Sequence, residues 1–337
     1  MSDKKVAVGI DIGGTAIKIA VVSTQGLVSK VNILHSGSFN EPYSLLDAVY
    51  QESMIFIRKY SRTHDVAGVG VGLPGPLNVF EERIYGMPNM EGWENIAVGF
   101  ELSQRFGYPV KILNDTDAAG LGEYHYGNAK GNRYFVILSL GTGIGSAVIV
   151  NGRVWHGAYG ISPEAGHIPI SIDGPECGCG AKGHLESFLC AKQVVTRVIN
   201  DIKAGIPTSI DLEIWESEGF PVKTVFDYAA RQDTAALREV NRYAGYLGRG
   251  LAAIAALLNP PYVYISGSVA NAWDMLASET LRIFGTSCIF PHRSFMKISP
   301  SALEGCGGVL GAASLILYYE KDSYILSNLD AGVDSEC

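Results

Sequence analysis

Two stretches of this chain share one pattern, and the repetition restricts the fold more than any single motif does. Val6 to Ile10 is a short apolar run, followed by Asp11-Ile12-Gly13-Gly14-Thr15 and a second β-rich run from Ile17 to Val22. Later, Tyr134 to Leu140 leads into Gly141-Thr142-Gly143-Ile144-Gly145-Ser146 and then Ala147 to Val150. Each reads as two strands joined by a glycine turn. Neither is a Walker or dinucleotide fingerprint, because no helix follows the turn. An Asp at a strand end, beside open backbone N–H groups and a Thr hydroxyl, suits Mg²⁺-phosphate, and Lys18 adds positive charge. One such hairpin alone is equally well a plain turn. Two of them predict a duplicated α/β module with nucleotide phosphates clamped between the copies.

Between the hairpins, Val66 to Leu73 is a buried-strand pattern running into the rigid turn Pro74-Gly75-Pro76. Met87 to Trp93 reads as a polar loop with an exposed Trp93. Val110 to Leu113 is a strand ending in Asn114-Asp115, and Thr116 to Glu123 starts a helix. A carboxylate at such a junction is well placed for a general base, and an N-cap is the ordinary alternative. With Asp115 and Asp117 both present, one is expected to cap and the other to do chemistry. Further on, Val194–Lys203 and Val225–Tyr228 are helical stretches. The amphipathic run from Thr234 to Leu258 stops at Asn259-Pro260-Pro261. Tyr262 to Ile265 is a strand entering Ser266-Gly267-Ser268, a small-residue turn that suits either a flat ring such as adenine or tight βα packing. Gly307 to Leu317 is an apolar helix with small residues on one face, and the tail from Ser323 reads as loose.

Pro163 to Glu186 carries His167, Cys177, Cys179 and His184, flanked by Glu164 and Glu186. Two thiolates and two imidazoles complete a closed tetrahedral Zn²⁺ shell, which would position the flanking carboxylates around a polar ligand. The competing reading is a glycine-rich surface loop with two ordinary cysteines.

The 337 residues are enough for two domains. A net charge of −8 argues against nucleic acid as a partner. No apolar run reaches the ~20 residues of a membrane span, and the first residues lack a secretory signal. The scattered remaining cysteines fit reduced thiols and a cytoplasmic location.

DIGGTAIK, LSLGTGIGSA, SGSVAN, LNDTDAAGLGE and PEAGH followed by CGCGAKGHLE together resemble the ROK family of sugar kinases and repressors, over Val6 to about Leu317. The resemblance implies an actin/hexokinase-type α/β fold: two ribonuclease-H-like domains, 1–113 plus 308–325 and 114–307, with a cleft between them. It implies that Asp115 takes the proton from a sugar hydroxyl, usually that on C6, as it attacks the γ-phosphate of ATP. Gly75, Asn89, Asn114, Asp115, Glu164, His167 and Glu186 would bind the sugar. Asp11, Gly13, Gly14, Thr15, Lys18, Gly141, Thr142, Gly143, Gly267 and Ser268 would hold Mg²⁺-ATP. A homodimer or homotetramer is implied.

Three departures stand out. His184 replaces the family's third cysteine, giving Cys₂His₂ rather than loss of zinc. Pro163 stands where Gly is common, ahead of the sugar loop. Asp117 stands where many ATP-dependent members have Asn, and NDTDAAG also resembles polyphosphate-using glucokinases, which lack the cysteine motif. Glucose is the expected substrate. The alternatives are an amino or N-acetylamino sugar (N-acetylmannosamine, N-acetylglucosamine, kanosamine). A sugar-responsive repressor is disfavoured, since ten residues precede Asp11 and leave no helix-turn-helix there.

Overall fold

The computed structural model describes residues 4–39, 41–87, 90–303, 305–319, 323 and 325–326. The first sheet is built from β1 (Lys5–Ile12), β2 (Ala16–Ser23), β3 (Gly26–Leu27), β4 (Asn32–His35), β5 (Asp65–Leu73) and a strand at Val110–Asn114, in the order β3-β2-β1-β5-(Val110–Asn114), with β4 on β2. β1 is antiparallel to β2 but parallel to β5, which is parallel to Val110–Asn114 in turn. An antiparallel ribbon thus continues into parallel strands, and the parallel crossovers are helical, as their geometry requires. The second sheet runs Lys297–Pro300, Tyr262–Ser266, Phe135–Leu140, Ile144–Val150, Arg153–Trp155, Ile325–Leu326. Its first five strands, counted from the Arg153–Trp155 side, repeat the order of the first sheet. The duplication expected from two glycine hairpins is therefore present as sheet topology, and the fold is the expected α/β, actin/hexokinase type.

The chain divides into two compact units. Met1–Ile137, Ser146–Pro163 and Ser301–Cys337 form one; Leu138–Gly145 and Glu164–Pro300 form the other.

The first unit closes on helix Gly307–Leu317, which is apolar nearly all round and buried from Gly308 to Ile316, as such a helix must be. It lies against β1, β5 and helix Asp115–Tyr126 through backbone contact. A Cβ on Gly9 would stand 2.1 Å from the carbonyl oxygen of Val309, and one on Gly311 only 1.5 Å from that of Ala118. The Val-Gly alternation of β5 has the same origin, since Gly70 meets Ala312 O at 1.8 Å in the same sense.

Two expectations are corrected in this unit. Trp93 is 1% exposed, not solvent-facing. Its loop folds back on itself through the Ile84–Ile96 bridge and buries Leu77, Ile84 and Met87 as well. The tail is not loose at 325–326: this short strand pairs in parallel with Val154 and Trp155, and Ile325 is buried. It takes up the backbone groups that the edge strand would otherwise leave open.

The second unit is mainly helical around its part of the sheet. Helix Thr234–Leu258 is its longest element and packs on helix Trp273–Ser287. Asp233 caps its start and Asn259, at φ 44°, ends it ahead of the two prolines, as the sequence predicts.

Candidate active site and metal centre

In the first unit, Asp11 lies near the end of β1, directly opposite Lys18 on β2. Lys18 Nζ is 3.9 Å from Asp11 Oδ2 and donates at 2.7 Å to the carbonyl of Gly305. A Cβ on Gly308 would stand 2.5 Å from Asp11 Cγ, so the first turn of the last helix closes against this carboxylate. Burial raises the Asp11 carboxyl above the ordinary range, with Lys18 opposing. The turn after β1 is held by Gly13 N–H donating to Ala16 O at 2.9 Å and by Ser36 Oγ donating to Gly13 O at 2.5 Å. Neither Gly13 nor Gly14 has positive φ. At Gly14 a Cβ would meet nothing within 4 Å. Glycine here leaves backbone open to solvent beside the exposed Thr15, rather than solving a conformational problem.

Asp115 is the first residue of helix Asp115–Tyr126. The cap is Asn114, and neither aspartate takes that role. Asn114 Oδ1 accepts from the N–H of Thr116 at 2.9 Å and of Asp117 at 3.4 Å, while its Nδ2 donates to Gly75 O at 3.1 Å. Its amide is thus committed to holding the junction on which Asp115 sits. Asp115 Oδ1 accepts from Thr116 N–H at 2.7 Å. Burial foremost, then the negative charge of Asp11, push the Asp115 carboxyl up to about 7. The Thr116 bonds pull against this, and Asp117 adds a smaller upward push. A carboxyl held near neutrality can take and return a proton under ordinary conditions.

Asp117 is fully buried and points elsewhere. Its Oδ2 accepts from His156 Nε2 at 2.8 Å and from the Ser162 hydroxyl. No local pattern marks His156 or Ser162, a lone histidine and a lone serine about forty residues downstream. Only their pairing with one buried carboxylate marks them.

In the second unit the four expected ligands converge. His167, Cys177, Cys179 and His184 offer ligand atoms that all lie within 4.8 Å of one another. His167 Nδ1 is 3.2 Å from His184 Nδ1 and 3.6 Å from Cys177 Sγ, and Cys179 Sγ is 3.3 Å from His184 Nδ1. Zn–N and Zn–S bonds near 2.0 and 2.3 Å set tetrahedral edges of about 3.3–3.8 Å, so the donor set fits Zn²⁺. Gly183 permits the loop to close: at φ 74° its missing Cβ would fall 1.7 Å from Ser171 O.

Glu186 joins this loop to the second glycine turn. Its Oε1 is 3.8 Å from Cys177 Sγ, its Oε2 accepts from Ile144 N–H at 2.8 Å, and a Cβ on Gly143 would stand 2.6 Å from Oε2. Gly141 N–H donates to Gly143 O at 3.1 Å across that turn, leaving Thr142 exposed. Glu164 is exposed, and its carbonyl accepts from His167 N–H at 3.0 Å. Gly267, at φ 83°, presses on the Leu140 backbone at the end of the neighbouring strand, and Ser268 beyond it is exposed. Within the first unit, then, Asp11, Lys18, Gly75, Asn114 and Asp115 form one neighbourhood. Within the second, the four metal donors, Glu186 and the Gly141–Gly143 turn form another. Asn89 lies outside the described residues. No described helix is long and apolar enough to cross a membrane.

Residues 7–318 match the sequence model of the ROK family. A glucokinase of Thermotoga maritima is 30% identical over 92% of this chain and 96% of its own length. A xylose repressor of Bacillus spizizenii is 26% identical over 94% of this chain and 78% of its own. The crystal structure of a ROK family glucokinase from Streptomyces griseus, in complex with glucose and AMPPNP, superposes with a TM-score of 0.77 at 26% identity, covering 92% of this chain and 99% of that one.

Proposed function

Since the chain belongs to the ROK family and is a sugar kinase, we propose that it transfers the γ-phosphoryl group of ATP to the 6-hydroxyl of a hexose, glucose above all. The observation that carries the reading is Asp115, a carboxylate at a strand end whose proton affinity burial and Asp11 bring to about 7. Asp115 removes the hydroxyl proton as the sugar oxygen bonds to the γ-phosphorus, and the bond to ADP breaks. Such transfer asks mainly for alignment and charge neutralisation. Asp11, Lys18 and the turns at Gly13–Thr15, Gly141–Gly143 and Gly267–Ser268 would hold Mg²⁺-ATP, the ion supplying the neutralisation. The exposed turn residues Gly14 and Thr142 support that role.

Gly75, Asn89, Glu164, His167 and Glu186 would bind the sugar. Asn114, whose amide is engaged by Gly75 and the helix cap, would act by orienting Asp115. His167 turns Nδ1 to Cys177 and His184, which leaves its Nε2 for a sugar hydroxyl. Zinc held by His167, Cys177, Cys179 and His184 would keep that imidazole and Glu186 in place. A cytoplasmic homodimer or homotetramer is the assembly we propose.

The test is ADP release from Mg-ATP across hexoses, amino sugars and N-acetylamino sugars, with polyphosphate as a parallel donor and NMR to locate the new phosphate. Turnover with glucose at C6 supports the reading. Turnover with an N-acetylamino sugar alone would replace the substrate. Sugar binding without turnover would favour a sensor, in line with the repressor relatives.

A further inference from the structure

We propose that Asp117, His156 and Ser162 form a positioning network that sets the sugar-binding geometry of the enzyme by clamping both ends of the 157–161 loop to the first turn of the Asp115 helix. The inference rests on the reading of Asp115 as the base.

The geometry is as follows. Asp115 and Asp117 are two positions apart on one helix, about 200° around its axis, so Asp117 grips the helix from the side opposite Asp115. His156 precedes the loop and Ser162 ends it, and both bond the same carboxylate oxygen. Between them Tyr159 is 81% exposed, and the loop's own anchorage is a bond from Val79 N–H to Gly160 O at 3.0 Å. Directly beyond, Ser146 Oγ donates to Pro163 O at 2.5 Å. The chain is therefore fixed at 162 and 163, the two residues before Glu164 and the His167 turn.

The chemistry argues against a purely structural purpose. Asp117 and His156 are 0% and 1% exposed. Burying a carboxylate costs several kcal/mol unless its lone pairs are satisfied. Here Asp117 Oδ1 and His156 Nδ1 have no partner among the described residues. Three apolar side chains of similar volume would pack this spot at least as stably. What they would not supply is one directed anchor point shared by the helix of the base and the stem of the sugar loop. An error of ~1 Å in such a stem is enough to cost catalysis up to about 10²-fold.

The test compares steady-state kinetics of wild type, Ser162→Ala, His156→Leu and Asp117→Asn, with melting temperatures alongside. For Ser162→Ala and His156→Leu we expect the sugar KM to rise about tenfold and kcat to fall severalfold, with the ATP KM within twofold of wild type. Asp117→Asn keeps an acceptor oxygen at the same place, and most of the wild-type sugar KM should return with it. Should His156→Leu fail to fold, Ser162→Ala, which deletes one oxygen, carries the test. An active wild type with sugar KM and kcat unchanged in Ser162→Ala would overturn the inference alone, whatever happens to the melting temperature. A wild type inactive on every sugar would overturn the kinase reading, and this inference with it.

Discussion

Glu186 accepts a hydrogen bond from the backbone N–H of Ile144 at 2.8 Å, which makes the last carboxylate of the Cys/His loop a structural part of the second glycine turn. A disturbance of the metal loop should therefore reach the nucleotide. Zinc-depleted protein is expected to show a raised KM for ATP as well as for sugar, each by about tenfold, the scale of lost support around a metal site. Kinetics before and after chelation, with zinc added back, decide it. An unchanged ATP KM in metal-free protein would break the link.

The donor set makes a second prediction. Cys179→Ser and His184→Ala should lose zinc, whereas His184→Cys should retain it, because thiolate and imidazole serve equally in a tetrahedral shell. Metal content of the freshly purified variants is the readout, and zinc-free wild type would dismiss the centre altogether.

Asp115→Asn should lower kcat by about 10²–10⁴-fold while leaving sugar affinity nearly intact. It should also stabilise the fold at pH 8. A carboxyl raised from 3.8 to about 7 in the folded state binds protons more tightly there than in the unfolded chain. Its contribution is thus present at low pH and lost as pH rises through that window. Removing the charge should restore about 1–4 kcal/mol above pH 7. Urea denaturation at pH 5 and pH 8 measures this, and a variant less stable than wild type at pH 8 contradicts it.

The same group shapes the activity profile. As a base, Asp115 must be unprotonated, so kcat/KM for the sugar should climb with pH and level off above about 7. A profile already flat from pH 5 upward would mean that the carboxyl titrates in the usual range or is not the base.

How much of this was legible beforehand depends on what local pattern encodes. Strand–turn–strand alternation and Gly/Pro punctuation marked β1, β2, β5 and the helix Thr234–Leu258, including its stop at Asn259. The four metal donors lie within eighteen residues of sequence and were found together. From sequence, Asp115 or Asp117 is expected to be the cap that Asn114 provides, because Asn114, Asp115, Thr116 and Asp117 are all capping types and only the backbone decides among them. Trp93 was misplaced because burial of a loop indole is set by how the loop folds back. The bonds of His156 and Ser162 to Asp117 span about forty residues and have no periodicity, so nothing local announces them.

Packing of the last helix gives a further prediction. Gly311→Ala would drive a methyl to 1.5 Å from the carbonyl oxygen of Ala118, on the helix that carries Asp115. A loss of at least about 2–3 kcal/mol is expected from such overpacking, measured as a drop in the urea midpoint. A midpoint shift below 0.5 kcal/mol equivalent would show that the two helices can part freely.

That helix also has a bearing on how the protein is born. Residues 307–317 supply the slab on which β1 and β5 lie, yet they leave the ribosome long after both strands. β1 and β5 must wait, with their glycine-lined face uncovered, until that helix has been made. Glu164–Pro300 will by then have emerged whole and can fold ahead of them. Vectorial synthesis thus reverses the usual order, in which the N-terminal part folds first, and the waiting strands are where a chaperone would be needed.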